Sequence, residues 1–171
     1  MFKSIAECRV PVIARINGAA LGGGSGLTAA ADVAVAVRSA VFGFTEASLG
    51  LLPATISPFV MRKIGNQATR FFLTAERFSA DVARDIGLVH VVCDSLEEVD
   101  AQVMRMAKAI CNNGPEAVAN SKLLIREVAA EPRVENLREY TANAIASARV
   151  SPEGQDGLRA FLSKGKPSWR A

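Results

Sequence analysis

The chain has 171 residues, 50% of them hydrophobic, 22% charged and 6% aromatic, with 20 Lys+Arg against 17 Asp+Glu and a formal net charge of +3. That length predicts a single domain able to bury about 70% of its unfolded surface, and so high an apolar fraction excludes a disordered chain. The charge excess is small and gathers in no Lys/Arg block, which argues against a nucleic-acid footprint or an electrostatic pull to an acidic membrane.

Phe2 to Cys8 reads as the tail of an amphipathic helix, with Phe2, Ile5 and Ala6 at helical spacing. After Pro11, Val12–Ile16 is a short strand, Gly18–Gly24 a turn-rich passage, and Ser25–Ala31 a helix of small residues. Val33–Val37, apolar and β-branched throughout, suits a strand covered on both faces. Val41–Phe44 and Leu88–Cys93 read as two further strands. From Ile56 the pattern is mainly helical, with helices predicted near 58–64, 67–73, 80–86, 96–111, 115–129, 134–150 and 152–162. Pro115 and Pro132 mark helix boundaries, and Val99, Val103, Met106 and Ile110 form an apolar stripe opposite charged faces.

Charged residues interrupt every apolar stretch of the first fifteen positions, so no secretory leader is expected. Ile16–Ala31 carries no charge, but it holds five glycines and ends at Asp32, short of the roughly 20 apolar residues of a membrane span. Cys8, Cys93 and Cys111 form no CxxC pair, and the reading is of three buried, reduced thiols in the cytoplasm. With His90 as the lone histidine, no metal site is expected.

Five glycines fall between Gly18 and Gly26. A dinucleotide fingerprint is formally present at Gly24-Ser25-Gly26, with Glu46 about 20 residues on, but the spacing to Val33 leaves no room for a full crossover helix. A nucleophile elbow around Ser25 fails because position 27 is Leu27, and His90 reads as a half-buried strand residue, not a base. Gly22-Gly23-Gly24 is either a tight packing contact or a place where backbone N–H groups and a helix dipole meet an oxyanion, such as a thioester oxygen gaining charge.

Three segments carry a resemblance: Asn17-Gly18-Ala19-Ala20-Leu21-Gly22-Gly23-Gly24, Ala31–Ala36, and Phe42-Gly43-Phe44-Thr45-Glu46-Ala47-Ser48-Leu49-Gly50-Leu51-Leu52-Pro53. With Leu73–Ala80, Ile86–Val89 and Glu153–Trp169, they resemble the enoyl-CoA hydratase/isomerase (crotonase) family in order along nearly the whole chain. The resemblance implies an α/β, crotonase-like fold: a partial ββα spiral core over residues 1–95, then a helical trimerisation region over 96–171. It implies an enzyme that hydrates or isomerises a 2-enoyl-CoA through an oxyanion-stabilised enolate. No cofactor is implied, CoA being part of the acyl-CoA substrate, and the assembly implied is a homotrimer or hexamer with no nucleic-acid or membrane partner.

By the same resemblance, the Gly23 N–H would polarise the thioester oxygen and Glu46 would handle the proton. Leu21, Gly22, Thr45 and Ala54 would line the substrate, and Phe161 and Lys164 would reach the CoA portion, usually in a neighbouring subunit. Ala54–Phe59 resembles hydratases of branched or methylglutaconyl-type acyl groups. Two departures stand out. Many hydratases of the family carry a second glutamate where this chain has Gly26, and one carboxylate suits a double-bond isomerase or single-glutamate hydration. The family's early ββα units and their second oxyanion loop have no counterpart between Met1 and Pro11, so an N-terminally truncated fold, active or reduced to an assembly module, is expected.

Overall fold

The computed structural model describes residues 1–170. The chain divides into two compact units, one ending at Met106 and the other beginning at Ala107. The first opens with α1 (Phe2–Ala6), β1 (Ile13–Ile16), β2 (Ala19–Leu21), α2 (Gly23–Ala30), β3 (Val33–Val37) and β4 (Val41–Gly43). Successive strands alternate between two sheets. β1 pairs in parallel with β3, Ile13 opposite Val33, and β2 pairs in parallel with β4, Ala19 opposite Val41. Asn17 to Asp32, containing β2 and α2, supplies the dozen or more residues that a parallel crossover needs, which corrects the expectation that the gap before Val33 is too short for a crossover helix.

A 3₁₀ turn at Thr45–Leu49 leads to α3 (Ser57–Ile64), a second such turn at Gly65–Gln67, α4 (Ala68–Thr74), β5 (Arg77–Ser79), α5 (Ala80–Asp85), β6 (Val91–Cys93) and α6 (Leu96–Cys111). The sheets are β1-β3-β6, all parallel, and β2-β4-β5, with β5 antiparallel to β4. Ala34, Val35 and Ala36 are fully buried, as expected of a strand covered on both faces. Between the sheets and helices lies an aromatic cluster. Phe44 meets Phe72 edge-on at 5.0 Å, and Phe71 lies 4.3 Å from Phe78.

Several expectations are corrected. α2 begins at Gly23 and not Ser25, because Gly22 takes the N-cap with φ 50° and ψ −115°. The strand expected over 88–93 is only Val91–Cys93. Gly87 turns at φ 85°, and the Leu88 and Val89 N–H groups still bond to Ala83 O at the end of α5. His90 therefore sits in a bend and is exposed, although its N–H bonds Ala34 O. The strand from Val41 stops at Gly43, and the helices expected over 67–73 and 80–86 are Ala68–Thr74 and Ala80–Asp85. β2 and β5 are additions to the reading. Of the three free cysteines only Cys93 is buried, while Cys111 is exposed.

Within the second unit run α7 (Pro115–Ala130), α8 (Val134–Val150), α9 (Pro152–Leu162) and a final 3₁₀ turn at Ser168–Arg170. The Glu153 carboxylate accepts from the Glu116 and Ala117 N–H groups at 2.9 and 2.8 Å, capping α7 from α9. Trp169 lies against Gly157, where a Cβ would come 2.9 Å from the indole. α7 and α8 contain no buried residue.

Candidate active site

The glycine run between β2 and α2 is held from below. Gly22 N–H donates to Gly43 O at 2.8 Å, tying the loop to the end of β4. Ser25, fully buried, donates to Ala20 O at 2.5 Å and accepts from Gly43 N at 3.3 Å, so its hydroxyl is a staple between α2 and both strands. That engagement leaves it unsuited to act as a nucleophile. The Gly26 N–H closes the first turn of α2 on Gly22 O, and no side chain caps the helix. By helix geometry the N–H groups of Gly23, Gly24 and Ser25 then have no intrahelical acceptor, and the positive end of the dipole lies there.

Glu46 is delivered to this point from β4. Phe44, fully buried, anchors the chain, and the 3₁₀ turn that follows raises Thr45 and Glu46 beside the glycines. A Cβ at position 22 would lie 3.3 Å from Glu46 Oε1 and 3.8 Å from Thr45 Oγ1. The other carboxylate oxygen, Oε2, is buried and has no hydrogen-bond partner among the described residues. The Glu46 side chain does not cap its own turn; its backbone carbonyl, not its carboxylate, receives the Leu51 N–H. A buried oxygen left unpaired costs about 1–3 kcal/mol, and a fold retains such a group where a ligand or a proton satisfies it. Leu21 and Thr45 close in from the sides, at 3.3 and 3.4 Å from a Cβ at Gly43.

One turn along α2, Gly26 is sealed. A Cβ there would fall 2.8 Å from Ile56 Cβ, closer still to Ile56 Cγ2, and 3.1 Å from Phe2 Cε1. Phe2 also lies 4.0 Å from the Cβ position of Gly23 and meets Phe59 in a tilted pair at 5.8 Å. The wall beside the glycine run is thus apolar and supplied by α1 and the segment before α3. Ala54 lies on that segment, exposed, its carbonyl accepting from Ser57 Oγ at 2.9 Å.

The far end of α2 is fixed by charge. Lys63 Nζ donates to Ala31 O at 3.1 Å and Asp32 O at 3.0 Å, and Asp32 Oδ2 accepts the Val12 N–H at 2.7 Å. Burial pulls the Lys63 ammonium below its ordinary value, opposed by the Asp32 charge. His90 Nδ1 accepts from Ala34 N–H at 3.0 Å, which places the proton of the neutral ring on Nε2. Desolvation, followed by repulsion from Lys63, holds this imidazole below its usual range.

Of the residues expected at a site, Leu21, Gly22, Gly23, Thr45 and Glu46 therefore form one cluster, and Ala54 lies on the segment that seals it. Phe161 and Lys164 belong to the second unit. Phe161 is 80% exposed on α9, and Lys164, at φ 54°, follows it in the left-handed region. Sequence reasoning missed Phe2, Ile56 and Lys63, for which no motif or spacing gives a signal. No group of three or more metal-ligating side chains is assembled among the described residues, and no helix there is long and apolar enough to cross a membrane.

Two three-stranded sheets, fed alternately by β1 to β4 and covered by helices, form a crotonase-like fold. The model of the enoyl-CoA hydratase/isomerase family matches residues 1–171, and the chain belongs to that family. A crotonase-type structure from Legionella pneumophila superposes with a TM-score of 0.89 at 47% identity, covering 98% of this chain and 65% of that one. An enoyl-CoA hydratase of Shewanella pealeana gives 0.92 at 37% identity, covering 98% and 63%. A peroxisomal Δ(3,5)-Δ(2,4)-dienoyl-CoA isomerase of Arabidopsis thaliana is 32% identical over 166 residues, 96% of this chain and 59% of that protein. The chain thus spans about three fifths of the length of the relatives it matches.

Proposed function

We propose that the protein is an acyl-CoA-thioester enzyme that hydrates or isomerises a 2-enoyl-CoA through an oxyanion-stabilised enolate. One observation carries the reading: a carboxylate with a buried, unpartnered oxygen stands against the uncapped N-terminus of a glycine-started helix. The Gly23 N–H donates to the thioester oxygen, where the helix dipole favours developing charge. Glu46 takes or returns a proton on the acyl chain beside it. Gly22 lets the carboxylate approach the backbone, and Leu21, Thr45 and Ala54 shape the acyl site. No further cofactor takes part, since CoA arrives with the substrate. Phe161 and Lys164 serve the CoA portion of a substrate held by a neighbouring subunit. Exposed Ile125, Val134 and Ile145, at 70%, 80% and 67%, favour association into a trimer or a pair of trimers, and three free thiols suit the cytoplasm.

The test is turnover of crotonyl-CoA and methylglutaconyl-CoA, with Glu46→Gln as the matched variant. Removing a positioned acid/base costs about 10²–10⁴-fold, roughly 3–5 kcal/mol of barrier, so the variant should lose that much while keeping its fold. Wild-type turnover untouched by Glu46→Gln sinks the mechanism. No turnover, with stable trimers in ultracentrifugation, replaces it with an assembly role.

A further inference from the structure

We infer that Lys63 is a positioning residue for the reaction: its ammonium, at the C-terminal end of α2, raises the positive potential at the opposite end, where, on the reading of Gly23 and Glu46 just given, the thioester oxygen gathers charge. α2 and α3 run side by side in the same direction. Ile56, which leads into α3, sits beside Gly26, and Lys63, in the last turn of α3, reaches the chain where α2 ends. Its Nζ donates to Ala31 O at 3.1 Å and to Asp32 O at 3.0 Å, the first two carbonyls after the helix. The same corner is tied to β1, since Asp32 Oδ2 accepts the Val12 N–H at 2.7 Å. One half-buried ammonium therefore stands at the negative ends of two parallel helix dipoles. The Asp32 charge favours its protonated form, and His90, the other basic group of this corner, is held uncharged with Nδ1 accepting from Ala34 N–H.

Charge and anchoring act in the same sense. α2 is eight residues long, which puts the ammonium about 12 Å from the Gly23 N–H. At an effective dielectric constant of about 20, a unit charge at that distance favours a full negative charge by about tenfold. The thioester carbonyl of the bound substrate carries only a partial charge and gains less, so the advantage falls on kcat and leaves KM nearly unchanged. The Ser25 hydroxyl ties the first turn of α2 to β2 and β4, and Lys63 ties its far end to α3. The Gly23 N–H is thus aimed by a helix held at both ends.

The experiment uses the full chain with crotonyl-CoA isotope-labelled at the thioester carbonyl, read by turnover and by the infrared stretch of the bound carbonyl. Lys63→Gln keeps an N–H donor for the two backbone carbonyls and removes the charge, whereas Lys63→Arg keeps both. Lys63→Gln is expected to lower kcat about tenfold at unchanged KM and to move the stretch back toward its value in water, while Lys63→Arg holds rate and stretch. Val99→Ala, at a fully buried position on α6, controls for stability lost elsewhere: it should lower Tm and leave kcat and the stretch in place. A folded Lys63→Gln with wild-type kcat and stretch overturns the inference, and the thioester reading stands as long as Glu46→Gln still loses its rate. Equal losses in Lys63→Arg or in Val99→Ala overturn it as well, because charge at this point is then not the cause. A wild type that neither turns over crotonyl-CoA nor polarises its carbonyl defeats the parent reading and this one with it.

Discussion

Gly22→Ala isolates what the glycine run does at its first position. Gly22 sits at φ 50° and ψ −115°, outside even the left-handed region that Asn or Asp tolerate, so an L side chain there carries about 1–3 kcal/mol of strain. The new methyl would also stand 3.3 Å from Glu46 Oε1, tighter than ordinary contact, and must displace the carboxylate by a few tenths of an ångström. In a chain of 171 residues each kcal/mol moves Tm by about 2–4 °C, which predicts a fall of roughly 2–12 °C. Gly50→Ala is the internal standard. Gly50 has φ 71° and ψ 18°, and nothing lies within 4 Å of its Cβ position, so it reports left-handed strain alone. Thermal denaturation of both, alongside turnover, separates the terms: Gly22→Ala should lose more stability than Gly50→Ala, and it alone should lose activity. Equal shifts in Tm, or an active Gly22→Ala, refute the claim that Glu46 is seated on this glycine.

Two further outcomes concern the far end of α2 and the sheet beneath it. Lys63→Met leaves the carbonyls of Ala31 and Asp32 without their ammonium donor and should cost about 1–3 kcal/mol, read as a lower urea midpoint at unchanged m. His90 is held neutral in the fold, below its ordinary 6.5, so its contribution is complete above that pH and is lost as pH falls, when the unfolded chain binds the proton first. Urea midpoints between pH 7.5 and 5 should therefore decline, and His90→Asn, which keeps an acceptor for Ala34 N–H but cannot titrate, should flatten the decline. An unchanged slope in that variant assigns the acid sensitivity elsewhere.

Much of the architecture is legible where local pattern and tertiary environment agree. Val33–Val37 is apolar on both faces because the strand is covered on both, and the helices from Leu96 onward follow their stripes and proline boundaries. β2 and β5, three residues each, are defined by pairing with β4 and not by any propensity of their own. Leu88–His90 shows the reverse failure: β-like residues drawn into the end of α5 because Gly87 turns the chain first. Lys63 escaped notice because its partners are backbone carbonyls about 30 residues away, which no side-chain pattern can announce.

The glycine cluster shows how one motif can merge unlike constraints. A glycine in a sequence states that a Cβ is unwanted without saying what forbids it. At Gly22 the backbone angle and the Glu46 carboxylate both forbid it, and the vacancy serves the polar group that faces it. At Gly26 the backbone is ordinary helix, and the obstacle is Ile56, thirty positions along the chain. The two glycines lie one turn apart on α2, so the same stretch of backbone is open to a carboxylate at one step and shut to any side chain at the next. What each position admits is accordingly decided less by the glycine than by what leans on it. Exchanging Ile56 changes what position 26 can hold, whereas no exchange there alters the angle that only glycine takes at position 22.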